Sequence, residues 1–232
     1  MQHVYKAFTV ILLALSLLAG LDARASPGGA VSGGYPALFG TRETYSSAFD
    51  RFYKWTGMLQ RWAAERGSAT TPCALGQAAA CEPREWRRLV DLLTPLDLRA
   101  KLAAVNSLVN RYPYTPSAVN WREPNHWETP FEFFARSGQC QDYAIAKFML
   151  LRAAGVPDDL LRVVVLRDQR LGIDHAVAVA YVEGEALMLD NQIPDVVPVT
   201  SIHHYQPYYS INETGWWLHD PNPLQITKVS AG

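Results

Sequence analysis

The sequence predicts an α+β protein whose helices come first and whose antiparallel sheet follows. Apolar residues recur at steps of three and four up to about residue 155, the signature of amphipathic helices. From about residue 160 they alternate or fall in short β-branched runs, the signature of strands. The 232 residues are 49% hydrophobic, which suits one well-filled core of roughly 200 residues and no second full domain. Lysine and arginine number 21 against 22 aspartates and glutamates, so nothing in the charge favours nucleic acid or an anionic membrane surface as a partner.

Taken in order, Lys6 precedes an apolar run from Ala7 to Ala19, and Ala23-Arg24-Ala25 supplies a small-x-small cleavage site. Residues 1–25 therefore read as a signal peptide, too short and wrongly flanked for a membrane anchor. No membrane insertion is expected after its removal. Residues 26–37 are glycine-rich and are expected to form a flexible leader, with the folded domain over residues 38–232. Phe49, Phe52, Trp55, Leu59 and Trp62 predict one helix from Thr44 to Glu65 that ends at Gly67. Glu85 to Leu93 predicts a second. Asp97 is placed to cap a third, whose core face is Leu98, Leu102, Val105 and Val109.

Residues 111–127, with three prolines and little periodicity, predict a structured loop of the kind that lines functional clefts. Thr129-Pro130-Phe131-Glu132 has the pattern of a capping box with proline at the first helical position, so a short helix should run to Arg136. A further helix is expected from Cys140 to Ala154, stopped by Gly155 and Pro157. Strands are expected over Leu161 to Arg167, His175 to Val182 and Glu185 to Asp190. More should follow Pro194, where Tyr205, Tyr208, Tyr209, Trp216 and Trp217 cluster.

An exported chain meets an oxidising compartment, yet it has three cysteines, so one is left over. Cys73 and Cys81 share a loop rich in proline, glycine and alanine that can fold back to join them in a disulfide. Cys140 is then the odd thiol, either buried and inert or reactive. A catalytic cysteine attacks as the thiolate, which the unpaired N–H groups and dipole of a helix N-terminus favour, and Cys140 falls in a first helical turn. Nucleophilic catalysis also needs a base, itself oriented by a third group. If Glu183-Gly184 is a two-residue turn, Val182 faces Glu185, His175 falls opposite Gln192, and Asp190 lies opposite Val177. His175 and Asp190 are then diagonal neighbours on one face, whereas a three-residue turn would put Asp190 on the other. His126, His203, His204 and His219 lack such a strand partner. A metal site is disfavoured because the adjacent His203 and His204 cannot share a strand face.

These residues carry a resemblance. Trp127 to Phe133, Gly138-Gln139-Cys140-Gln141-Asp142-Tyr143-Ala144, Leu161-Arg162-Val163, Asp174-His175-Ala176-Val177 and Leu189-Asp190-Asn191 resemble the bacterial transglutaminase-like cysteine peptidases, among them the LapG-type periplasmic proteases. The resemblance implies a papain-like or transglutaminase-like fold, with helices packed on an antiparallel sheet. It assigns Cys140 as nucleophile, His175 as base and Asp190 as orienting acid. It also implies a periplasmic thiol protease that works through an acyl-enzyme on a protein such as a biofilm adhesin, under inhibition by an inner-membrane cyclic di-GMP receptor. The LapG-type members need calcium and carry acids on both sides of the cysteine; here those positions are Gln139 and Gln141, with Asp142 remaining, which implies a weakened calcium site or no cofactor requirement. The same triad could instead transfer an acyl group to an amine, and the fold without the chemistry would be a regulatory module.

Overall fold

The computed structural model describes residues 34–68 and 84–221. The expected signal peptide, most of the leader and the expected Cys73–Cys81 disulfide lie outside those residues. Strand β1 (Arg42–Ser46) is followed by helices α1 (Tyr53–Ser68), α2 (Arg84–Leu93), α3 (Leu98–Val109), α4 (Ser117–Trp121), α5 (Pro130–Arg136) and α6 (Cys140–Ala153). Strands β2 (Leu161–Asp168), β3 (Ile173–Val182), β4 (Glu185–Leu189), β5 (Val197–Pro198), β6 (Tyr205–Ile211) and β7 (Trp216–Asp220) complete the chain. The strands form one antiparallel sheet of seven in the order β1-β7-β6-β2-β3-β4-β5. This is the α+β, papain-like architecture that the sequence predicts. Among the described residues, no helix is long and apolar enough to cross a membrane.

Several boundaries follow from local chemistry. Asp97 caps α3 by accepting from Ala100 N at 2.9 Å. Thr129 and Glu132 form the reciprocal capping box of α5, and Gly155, at φ 90°, follows the end of α6. The single helix expected from Thr44 is instead a strand and a shorter helix. Thr44 and Tyr45 pair with Leu218 and Trp217, and sheet pairing outweighs the helical spacing of the aromatics. Phe52, just ahead of α1, packs its ring against Tyr209 and Trp216. The loop expected over residues 111–127 contains the one-turn α4, closed by Arg122 at φ 58°. Tyr35, expected in the leader, stacks on Tyr181 at 4.7 Å, so the packed chain begins before residue 38.

Helix α6 is enclosed. Every residue from Gln141 to Leu151 is buried, because α3 and α5 cover it on one side and β2 and β3 on the other. Ala176, Ala178 and Ala180 of β3 share its apolar core with Ala144, Phe148 and Leu151. Small side chains on that face of β3 let the helix backbone approach closely. The odd-numbered Val177, Val179 and Tyr181 fill a second core with Val164, Leu166, Met188 and Leu38. The alternation along β3 is therefore small against large, with both faces covered, rather than apolar against exposed.

Candidate active site

The start of α6 is set by a close approach that only glycine permits. A Cβ on Gly138 would lie 2.5 Å from the Asp142 Cβ. Asp142 Oδ2 accepts Gln139 N, and its Oδ1 accepts Glu128 N, each at 2.9 Å, so one buried carboxylate ties the preceding loop to the first helical turn. Gln139 is the N-cap and Cys140 the first helical residue. Cys140 is half-buried, its thiol unpaired with any other cysteine among the described residues, and its Sγ lies 3.6 Å from Gln141 Oε1. The loop before α5 reaches this point: Thr115 N donates to Gly138 O at 2.9 Å, and the exposed Tyr114 lies within electrostatic range of Cys140.

The hairpin adopts the two-residue turn. Val182 pairs with Glu185 and Ala178 with Leu189, while Glu183 and Gly184 take φ 52° and 84°, as a type I′ turn requires. Carried to the hairpin's open end, this register brings His175 Nε2 to 2.8 Å from Asp190 Oδ1, both side chains sealed from solvent. Cys140 lies close enough to His175 to act on its titration. Because Nε2 is committed to Asp190, Nδ1 is the nitrogen left for the thiol, and the amide of the exposed Gln192 lies 3.4 Å from it. Cys140, His175 and Asp190 are thus brought together.

Three residues without a site role in the sequence support Asp190. Tyr205 donates its hydroxyl to Oδ2 at 2.7 Å, Gln192 donates its backbone N–H to Oδ1 at 2.9 Å, and Asn110 Nδ2 holds the Asp190 carbonyl at 2.8 Å. Gln192 was legible through the register, which sets it opposite His175. Tyr205 and Asn110 come from elements far along the chain, and no local pattern announces them.

The electrostatics favour a protonated His175 beside an ionised Asp190. Burial works against an imidazolium at His175, yet the hydrogen bond and charge of Asp190, with Cys140 nearby, outweigh it and raise the ring to about 9. Burial likewise opposes the carboxylate at Asp190, but the hydrogen bond and charge of His175, with the N–H of Gln192 and the hydroxyl of Tyr205, hold it below the usual range. The Tyr205 hydroxyl is pushed upward by burial and by Asp190, so it remains a donor. The other histidines serve different partners. His126 lies 3.2 Å from Glu132 and stacks on Trp121. His219 is wedged between Thr41 and Ser210 and lowered to about 3 by burial, then by Arg162. His204 packs edge-on against Tyr205.

Around Gln139, Gln141 and Asp142 most polar atoms already have partners, but Glu128 Oε2, on the residue whose N–H Asp142 accepts, is buried without one. Gln139 Oε1 accepts Ser117 N at 3.3 Å. Gln141 Nε2 points hydrogens at His126 O (3.3 Å) and Asp142 Oδ2 (3.4 Å), and Arg61 donates to Trp127 O at 2.5 Å. Burial and the charge of Glu128 push the Asp142 carboxyl well up. Calcium takes six to eight oxygens in a cage; the carboxylates of Glu128 and Asp142, with the amide oxygens of Gln139 and Gln141, are the groups here that would contribute to one.

The family profile of the bacterial transglutaminase-like cysteine proteinases matches residues 71–219. Among solved structures, the chain is similar to Legionella pneumophila LapG, with 26% identity and a TM-score of 0.55 over 74% of this chain and 92% of that one. The calcium-bound form of that protein gives 26% and 0.54 over 73% and 91%, and the EGTA-treated form 27% and 0.54 over 69% and 84%. No curated protein matches. With more than half of its length matched by the family profile, and with a free cysteine at a helix start beside a buried histidine and aspartate, this chain belongs to the bacterial transglutaminase-like cysteine proteinases and is a cysteine peptidase.

Proposed function

We propose that the chain is an exported thiol protease that cleaves a protein substrate through Cys140, His175 and Asp190. The observation that carries this reading is the 2.8 Å bond from His175 to Asp190 behind a cysteine in the first turn of α6. In the ion-paired state the Cys140 sulfur attacks the scissile carbonyl, and the carbonyl oxygen turns negative. The N–H of Cys140 at the helix start, without an intrahelical partner, is placed to stabilise that charge. The His175 imidazolium gives its proton to the leaving amine, which departs and leaves a thioester. Neutral His175 then takes a proton from water as the water attacks, and the acid product and the thiol are released. Asp190, held on both oxygens, keeps the ring oriented throughout.

The resemblance to the LapG-type members supports a periplasmic location, a surface adhesin of the biofilm type as substrate, and an inner-membrane cyclic di-GMP receptor as inhibitory partner. Calcium dependence is not part of the proposal, because Gln139 and Gln141 stand where the LapG-type members carry acids.

The test is to incubate proteins of the source organism's cell envelope with the enzyme and with its Cys140→Ala variant, then map new N-termini by mass spectrometry. N-termini made by the wild type alone support the proposal. Identical patterns overturn it. Incorporation of a labelled primary amine into glutamine-containing protein, without new N-termini, would assign amide transfer instead. Slow iodoacetamide labelling of Cys140 at pH 6, at the rate of an ordinary thiol, would leave a regulatory module.

A further inference from the structure

One buried charged group has no part in the mechanism so far. Lys147 lies seven residues after Cys140 in α6, which sets it on the same helix face two turns further into the protein. It is 0% exposed, and its Nζ has no hydrogen-bond partner. A lysine so placed is expensive, since an ammonium taken from water needs either partners or an opposing charge. Replacing it with an apolar side chain of its length would cost no hydrogen bond.

The elements packed against α6 present mainly neutral groups. They include Val163 of β2, Ala178 of β3, Leu102 and Asn106 of α3, and Phe133 of α5. The charged groups nearby belong to the active site: His175 on β3 and Asp190 beyond β4. Asp190 lies within electrostatic range of Lys147, though the two form no direct ion pair. Burial lowers the Lys147 amine to about 7, with Asp190 pulling the other way.

The need for a cation follows from counting charge. In the attacking state the thiolate carries −1, the imidazolium +1 and the Asp190 carboxylate −1. The site is left at −1, although His175 and Asp190 are sealed from water. After acylation the thiolate is gone and the imidazole neutral, and Asp190 again leaves −1. A protonated Lys147 would balance both states.

We infer that Lys147 is the counter-charge of the Cys140–His175–Asp190 site, a positioning residue whose ammonium stabilises the carboxylate and, at longer range, the thiolate. This rests on the thiol-protease reading above. It predicts that removing the charge makes the thiolate harder to form. The test is the pH profile of Cys140 alkylation by iodoacetamide, which needs no substrate. In Lys147→Met the acid limb should move to higher pH by roughly half a unit or more, and in Lys147→Arg it should stay near the wild-type position. A Lys147→Met profile that coincides with the wild type overturns the inference, because a purely structural lysine would alter melting and leave the limb in place.

Should the Lys147 variants not fold, Asp190→Asn carries the decision. Its Lys147 Nζ signal, followed by NMR, should titrate at lower pH than in the wild type, since the carboxylate charge that supports the ammonium is then lost. An unchanged titration overturns the inference. The two levels are separable: a wild-type limb at an ordinary thiol's pH sinks the protease reading, whereas a low wild-type limb that Lys147→Met does not move sinks only the role of Lys147.

Discussion

At Asp190, single atoms decide what the site can do. One oxygen accepts from His175 and from Gln192 N, the other from Tyr205. Removing the phenol in Tyr205→Phe leaves a buried carboxylate oxygen short of a donor. The expected loss is about 1–3 kcal/mol of stability, measurable by urea denaturation, together with a lower kcat. The titration of His175 has a readable sign. Its folded value, about 9, lies above its ordinary 6.5, so its stabilisation is complete below pH 6.5 and lost as pH rises through 9. Lys147 acts oppositely: lowered from 10.5 to about 7, it penalises folding below pH 7, and the penalty disappears by about 10.5. Lys147 therefore adds stability as pH rises above 7, and in Lys147→Met that gain should be lost: chemical denaturation at pH 7 and pH 9 should show a smaller rise, or a larger fall, than in the wild type.

Elements differ in how legible they are from sequence. The β3–β4 hairpin is legible up to one choice: Glu183-Gly184 permits a two-residue turn, and once the structure selects it over a three-residue one, period-two geometry carries the register to His175 and Asp190. The start of α6 is legible for a similar reason, since Gly138 and Asp142 act within five residues of each other. β1 is not: its five residues become a strand only because β7, far along the chain, pairs with them. The hairpin reading is testable, because one glycine inserted between Glu183 and Gly184 moves Asp190 to the opposite face. Circular dichroism should remain native-like while Cys140 loses its rapid alkylation at pH 6. The loop that holds the start of α6 gives a second prediction at this scale. Calcium at a hundredfold excess over its dissociation constant would stabilise the fold by about 2.7 kcal/mol, so melting in millimolar calcium and in EGTA should coincide if Gln139 and Gln141, in place of acids, leave no site.

The order of the sheet belongs to the whole molecule, and it is what the sequence leaves unstated. Strand β6 inserts beside β2, which carries Tyr205 to Asp190, and α3 crosses to bring Asn110 to the same residue. Neither placement has a local signal, because each depends on which strand edge is left for a later segment to pair. The first strand is fastened by the same long-range logic. Glu43 Oε2 receives Arg162 Nη1 at 2.7 Å across 119 residues of sequence, and both side chains are 2% exposed. Arg162 also lies 3.7 Å above the Trp217 ring, so one guanidinium joins β1, β2 and β7. Breaking such a pair strands a buried charge, whereas replacing both partners with apolar groups removes the cost with the bond. Glu43→Gln should therefore lose about 3–5 kcal/mol in chemical denaturation. Adding Arg162→Met should recover much of that loss, so that the double variant is more stable than the sum of the single changes. Simple additivity would show instead that this ion pair does not hold β1 to the sheet.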